Sequence, residues 1–574
     1  MSFPSFSQNA SIVTDEAKGR CLVANRGFNV GEIVFVEKSF VYSSANPLPV
    51  HECFNYVFKA FKPKELDKIE AMTDFLSNLS RVGSVDTARN LLELVAIYRL
   101  NQIGDSDVSS IEMKEKLALF GALTAANLAE CVENMKSFRK KFPTVIPAAV
   151  TDAAAGGLLG ILNTNQVELE GINGSGLFVQ MAVAEHNCSP NCSYSTSNDQ
   201  LYLTAILPIS PGDRIAIDYG NYFYDCTAAR IQSLFHTYSF LCNCDTCMVR
   251  PDTKRGFLCS VCHSRGDAGM TMTIAKGGGR MGGNPTTFGV IYPHGYQHNP
   301  VDSPTGGNAA AMASNNTVFA SVLVPVATSA TPENLVYQHW QCCTCNRRCS
   351  EAEIEQFVAY ENKIREYLVS GAATGATADT AGDDEDDEDE DEGECIASIE
   401  VLNDILKQNI IHCSHYLLFW ALEELAMAQV DMINNGYWHG GGGTETENPD
   451  DVTKYGLAFQ SLEALSQLLI LTLPAVHHEK VIHFDKVAQL LVSSCGSIPA
   501  NAAFAKQQFE KAYQFSILAC GKDAPLTQDL LKLATDTPLT VKQLESHYQM
   551  RSCTSSEFNS FLGASGPAMG MEFE

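Results

Sequence analysis

Apolar positions recur with two periods along this 574-residue chain, and the changes of period divide it. Residues 18–42 read as strands, with IVFV set between turn-forming glycines. From 66–79, 85–103 and 113–138 the apolar residues fall at helical spacing, continuing to about residue 159. Strand character returns over 161–219, where LYLTAILPISPGDRIAIDYG reads as two short strands joined by a Pro-Gly turn and ending in Tyr219. A short helix is predicted over 225–233 and a longer one over 350–370. Five amphipathic helices are predicted over 397–410, 414–433, 457–473, 480–492 and 503–520, with a helix-turn-helix rhythm but no clean repeat of fixed length. Two stretches lack either period. Residues 263–341 are rich in Gly, Asn and Ala, with FASVLVPVAT as a candidate strand. Residues 371–394 run from Gly, Ala and Thr into acid and read as a flexible tether.

Composition narrows the class. Apolar residues make up 45% of a chain long enough for two or more domains. No apolar run is long enough for a membrane-spanning helix, and the first residues lack the basic and apolar regions of a secretory signal, so neither is expected. The net charge is −28, of which the ten consecutive acids Asp383 to Glu392 carry −10. That balance argues against direct nucleic-acid binding and suits a basic partner such as a lysine-bearing tail.

Cysteine placement adds chemistry. Of 20 cysteines, twelve lie between Cys188 and Cys349, mostly in C-x-C or C-x2-C pairs, which favours metal over disulfides. Cys242, Cys244 and Cys247 form C-x-C-x2-C, three thiolates in one tight turn that need a fourth from elsewhere in the fold. Cys259 with Cys262, and Cys342 with Cys345, have the spacing of zinc-ribbon knuckles, with Cys343, Cys349, His263 and His339 as rival ligands. A long insert between knuckles costs little, because loop-closure entropy grows only with the logarithm of length. The isolated Cys53, Cys131, Cys413, Cys495 and Cys520 read as buried apolar filler.

Five strings occur in a telling order: KGRCLVANRGFNVGEIVFVEKSF at 18–40, ILNTNQVEL at 161–169, GSGLFVQMAVAEHNCSPNC at 174–192, AIDYG ending at 220, and YSFLCNCDTC at 238–247. Together they resemble the SET-domain lysine methyltransferases with a cysteine-rich post-SET segment, most closely the SET-and-MYND (SMYD) family. The resemblance implies an α+β fold: a SET β-fold core with a helical insertion, a post-SET zinc segment, and a C-terminal all-α, tetratricopeptide-like domain. The implied boundaries are 1–53 and 160–248 for the two halves of the SET core with post-SET, 54–159 for the insertion, 249–349 for the ribbon-like segment, 350–394 for a helix and acidic linker, and 395–574 for the helical domain.

The same resemblance implies the site. Cys188 would complete the zinc set of Cys242, Cys244 and Cys247. Lys18, Gly19 and Arg20, then Asn165, then Glu185 and His186, would hold S-adenosylmethionine, with Phe240 on its adenine and a glycine turn followed by a hairpin at the opening. Tyr219 and Tyr238 would line the lysine channel. Three departures stand out: Glu185 where the family usually has Asn, Cys21 where it usually has Gly, and only His51 and Cys53 in residues 41–60, where the MYND finger would begin. The expected function is therefore protein-lysine N-methylation of a histone or non-histone substrate by a MYND-less, monomeric chain in cytoplasm or nucleus. The alternative is an inactive SET-fold scaffold that binds proteins through its C-terminal helices.

Overall fold

The computed structural model describes residues 6–15, 19–44, 54–169, 174–220, 223–263, 290–298, 335–370, 399–434, 451–495, 499–540 and 542–544. Lys18, His51, Cys53, the acidic run and the FASVLVPVAT segment lie outside them.

The strands, in chain order, are β1 (Ala10–Asp15), β2 (Gly19–Ala24), β3 (Ile33–Lys38), β4 (Val41–Ser44), β5 (Gln166–Leu169), β6 (Gly174–Leu177), β7 (Glu185–His186), β8 (Cys192–Ser197), β9 (Gln200–Ala205) and β10 (Arg214–Ile217). Three more, β11 (Phe257–Leu258), β12 (Val290–His298) and β13 (Leu335–Cys342), form a separate antiparallel sheet. The first ten make three small sheets ordered β1-β2-β10-β7, β3-β9-β8 and β4-β6-β5.

Register follows from local chemistry where strands are joined tightly. β8 and β9 pair from Cys192↔Ala205 to Ser197↔Gln200 around Asn198 and Asp199, and Asn198 has the positive φ of 51° that such a two-residue turn requires. The hairpin expected inside 18–40 is not there. β2 pairs instead with the upstream β1, Ala10↔Ala24 through Asp15↔Gly19, while β3 pairs with β9. Likewise β9 and β10, contiguous in sequence, lie in different sheets. The reason is burial: Leu22, Val34, Phe35, Leu203 and Ile215 all enter one core, which a flat β2–β3 hairpin would not fill.

That core is shared. It runs from Ala10 through the helices of residues 57–165 to Ile217, so the helical insertion and both strand segments bury their apolar faces together. The helical period expected over 113–138 breaks into Ile111–Phe120 and Leu128–Lys141, with Asn127 at φ 52° before the second. The last helix of the block, Asp152–Asn165, extends into the segment expected to be strand, and β5 begins only at Gln166. Its small residues allow this: Gly156 faces the Val132 backbone so closely that a Cβ would lie 2.8 Å from Val132 N.

The C-terminal helices Tyr416–Asn434, Asp451–Thr472, His478–Cys495, Pro499–Ala519 and Pro525–Thr535 build two further cores, one shared with the β11-β12-β13 sheet and the helix Glu351–Ser370. β12 was not expected, since it lies inside the low-complexity stretch. Pairing with β13, Ile291↔Cys342 to His298↔Leu335, supplies what local sequence does not. The last helical pair docks back on the strands: Ser193 Oγ donates to Ala519 O at 2.5 Å and Thr204 Oγ1 to Cys520 O at 2.8 Å. Gly31 is needed there, for a Cβ would meet Ile517 O at 2.8 Å.

Candidate active site and metal centres

β10 runs between β2 and β7 and delivers Tyr219 two residues past its end. Arg20, near the start of β2, and Glu185, on β7, therefore flank the strand that ends in this tyrosine. The knot from His186 to Cys192 folds over it: Tyr219 N–H donates to His186 Nδ1 at 3.2 Å, and Tyr219 Oη donates to Ala184 O at 2.6 Å. Tyr238, the last residue of the helix Thr227–Tyr238, donates its hydroxyl to Tyr219 O at 2.6 Å. Ring centroids lie 5.0 Å apart for Tyr219 and Tyr238, 5.3 Å for Tyr219 and His186, and 6.2 Å for Tyr219 and Phe240. Four rings from three separated segments thus form one cage.

Burial sets the protonation of this cage. It pushes the Tyr219 hydroxyl far above its ordinary range, helped by the nearby Glu185 carboxylate, so the phenol stays protonated. It drives His186 down to about 4, so the imidazole is neutral near pH 7. Because Nδ1 accepts from Tyr219, the proton sits on Nε2, which points at Cys188 Sγ 3.2 Å away. Asp218, beside His186, is raised to about 7 by burial.

The cage leans on the first cysteine set. Cys188 Sγ lies 3.8 Å from Cys242 Sγ and 3.5 Å from Cys247 Sγ, and the sulfurs of Cys188, Cys242, Cys244 and Cys247 all lie within 4.8 Å of one another. A zinc tetrahedron with bonds of about 2.3 Å has sulfur–sulfur edges of about 3.8 Å, so the donor set fits. The second set, Cys259, Cys262, Cys342 and Cys345, also lies within 4.8 Å, with Cys259 and Cys345 3.9 Å apart and Cys262 and Cys342 3.8 Å apart. Of its rivals, Cys343, Cys349 and His339 are not in that set, and the His263 side chain lies outside the described residues.

The other expected binding residues are placed as follows. Gly19 has φ +77°, with open space where a Cβ would project. The Arg20 guanidinium donates to Ala122 O, and Asn165 Nδ2 donates to Thr124 O at 2.9 Å and Ile161 O at 2.8 Å. Both residues therefore reach the same loop between the helices Ile111–Phe120 and Leu128–Lys141. Cys21 is fully buried. Glu185 is held by Arg214, whose Nη1 lies 3.1 Å from Glu185 Oε2 and whose Nη2 binds Asp15. Arg214 was missed by sequence reading. Its one signal is an arginine inside the short apolar strand RIAI.

The chain carries a match to the SET domain family model over residues 19–220. It is SMYD-like: a stretch of 87 residues, 14% of this chain and 20% of the relative, is 36% identical to "Protein-lysine N-trimethyltransferase SMYD5" of Homo sapiens. A longer stretch of 281 residues, 42% of this chain and 56% of the relative, is 22% identical to "Histone-lysine N-methyltransferase SMYD1" of Homo sapiens. The chain thus spans about a fifth of the first relative and just over half of the second. Among solved structures, the SET domain of LSMT bound to lysine and AdoHcy matches 42% of this chain and 53% of its own at 16% identity, with a TM-score of 0.24.

Proposed function

We propose that the chain is an S-adenosylmethionine-dependent protein-lysine N-methyltransferase acting on a lysine-bearing, basic protein segment. The observation that carries this reading is the cage around Tyr219, at the end of the strand flanked by the Arg20 and Glu185 strands, within the region matched by the SET domain. S-adenosylmethionine, when bound, supplies an electrophilic methyl group. The rest falls to the chain. A free lysine is about 0.1% neutral near pH 7.4, a cost of roughly 4 kcal/mol. Aromatic walls lower that cost by desolvating the ammonium, and they fix the direction of the amine. The Tyr219 hydroxyl spends its proton on Ala184 O and keeps its lone pairs as acceptors, which suits a site that orients a cationic or methyl-bearing centre. Protonated throughout the neutral range, it is not a general base.

Glu185 in place of asparagine brings a negative charge toward the cofactor-binding residues, and Arg214 offsets it. The bonds of Arg20 and Asn165 to the 122–124 carbonyls favour the second reading, an inactive scaffold whose cofactor donors are already used. Calorimetric titration of the zinc-loaded protein with S-adenosylmethionine separates the two. Saturable one-to-one binding, with transfer of labelled methyl to lysine peptides, is expected. No binding at millimolar cofactor would leave the scaffold.

A further inference from the structure

Each cysteine set has an arginine beside it, and the two arginines share an unusual feature. Among the described residues, the buried cationic nitrogens without an acceptor are Arg230 Nε, Arg347 Nε and Arg347 Nη2. A buried, unmatched guanidinium N–H is rare, because its desolvation is uncompensated.

Arg230 lies one turn into the helix Thr227–Tyr238, almost fully buried. Its Nη1 donates to Asp225 O and its Nη2 to Thr227 Oγ1 at 2.9 Å, which pins the fork. Burial opposes its charge, while Asp252 and then the sulfurs of Cys188 and Cys247 favour it. Arg347 follows Cys345 by two residues, and its Nη1 is held by both oxygens of Glu353 at 2.7 and 2.9 Å. Glu353 favours its charge, burial opposes it, and the sulfur of Cys259 favours it in turn. In both places the sulfurs are close enough to act on the guanidinium, yet none meets the geometry of a bond to the orphaned nitrogens.

A divalent ion held by four thiolates leaves a net charge of −2 in a largely buried place, and such a charge calls for a nearby cation. A metal-bound thiolate is also a stronger acceptor than a thiol. We propose that Arg230 and Arg347 are the charge-compensating partners of two tetrathiolate metal centres, each offering a guanidinium N–H to a metal-bound sulfur. They are positioning residues: neither binds the metal. The inference is independent of the methyltransferase reading. It also gives the Cys259, Cys262, Cys342 and Cys345 set a metal-directed cation of its own, on residues outside the four ligands.

The test uses full-length, zinc-loaded protein, with chelator competition and a zinc count after each step. The natural chain should release two ions. Arg230→Met should weaken one of them by about ten- to a hundredfold, and Arg347→Met the other, the usual range for partners behind the ligands. Arg→Lys at either position keeps the charge and should recover most of the lost affinity. Arg→Gln keeps N–H donors without charge, at nearly the volume of Lys, and should not. Should a Met variant fail to fold, the comparison of Lys with Gln still decides. Natural affinity at both centres in the Met variants overturns the proposal, as does equal affinity of the Lys and Gln variants.

Discussion

At the scale of single residues, two side chains put the proposed chemistry to the test. Tyr219→Phe removes the hydroxyl bonded to Ala184 O and leaves the ring contacts to His186, Tyr238 and Phe240. Folding stability should change by at most about 1 to 3 kcal/mol. Turnover should fall by about a hundredfold, since misplacing a reacting centre costs that much. Cofactor affinity should hardly move. Single-turnover methylation with parallel calorimetry reads both, and an unchanged rate would remove Tyr219 from the mechanism. Glu185→Asn is the reverse experiment. It takes away a carboxylate but leaves Arg214 its bond to Asp15, so cofactor affinity should stay equal or rise. A large loss of affinity would mean that Glu185 itself holds the cofactor's cationic end.

At the scale of elements, the C-x-C-x2-C turn acts as a clasp. Cys188 comes from the knot below Tyr219, whereas Cys242, Cys244 and Cys247 follow Tyr238 and Phe240 directly, so a metal ion bound by these four sulfurs would tie both aromatic walls to the strand end. Apparent metal-binding energies at such sites are on the order of 10 kcal/mol. Cys244→Ser should reduce about two zinc ions per chain to one, loosen Tyr238 and Phe240, and abolish cofactor binding. Metal analysis and titration of the same sample check this, and full cofactor affinity in that variant would contradict the clasp. The chemistry of this element was readable from spacing alone. That its fourth sulfur lies 3.5 Å from Cys247 was not, because 59 residues of chain and two sheets separate Cys188 from its partner.

At the scale of the whole molecule, the β11-β12-β13 sheet joins the helical domain through a buried ionic knot. Arg255 Nε donates to Glu361 Oε1 at 2.8 Å, and His415 Nε2 lies 3.0 Å from the same oxygen. Burial alone would raise the Glu361 carboxyl, but the bonds from His415 and Arg255 outweigh it and hold the group at about 2. Its stabilisation is therefore fully present above the ordinary carboxyl value of 4.5 and is lost as pH falls toward 2. Glu361→Gln breaks a buried pair and should cost about 3 to 5 kcal/mol at pH 7. The difference from the natural chain should close as pH drops below 4.5. Denaturant melts across that range provide the check, and a pH-independent difference would mean that the loss is one of packing.

Legible in the sequence were the strand and knot strings, the C-x-C-x2-C turn, the two C-x2-C knuckles and most of the helices, because ligand spacing and apolar period are local properties. Tyr219 and Tyr238 were named through the family resemblance, and the fold brings their rings to 5.0 Å between centroids. Partners that meet across sheets were decided only by the tertiary structure. The β1–β2 pairing, β12 inside a low-complexity stretch, and the Arg214 bridge between Glu185 and Asp15 each satisfy backbone bonds or charges with groups distant in the chain. Arg230 and Arg347 belong with them. What distinguishes them is that a guanidinium nitrogen of each is buried and unpaired beside a cysteine set.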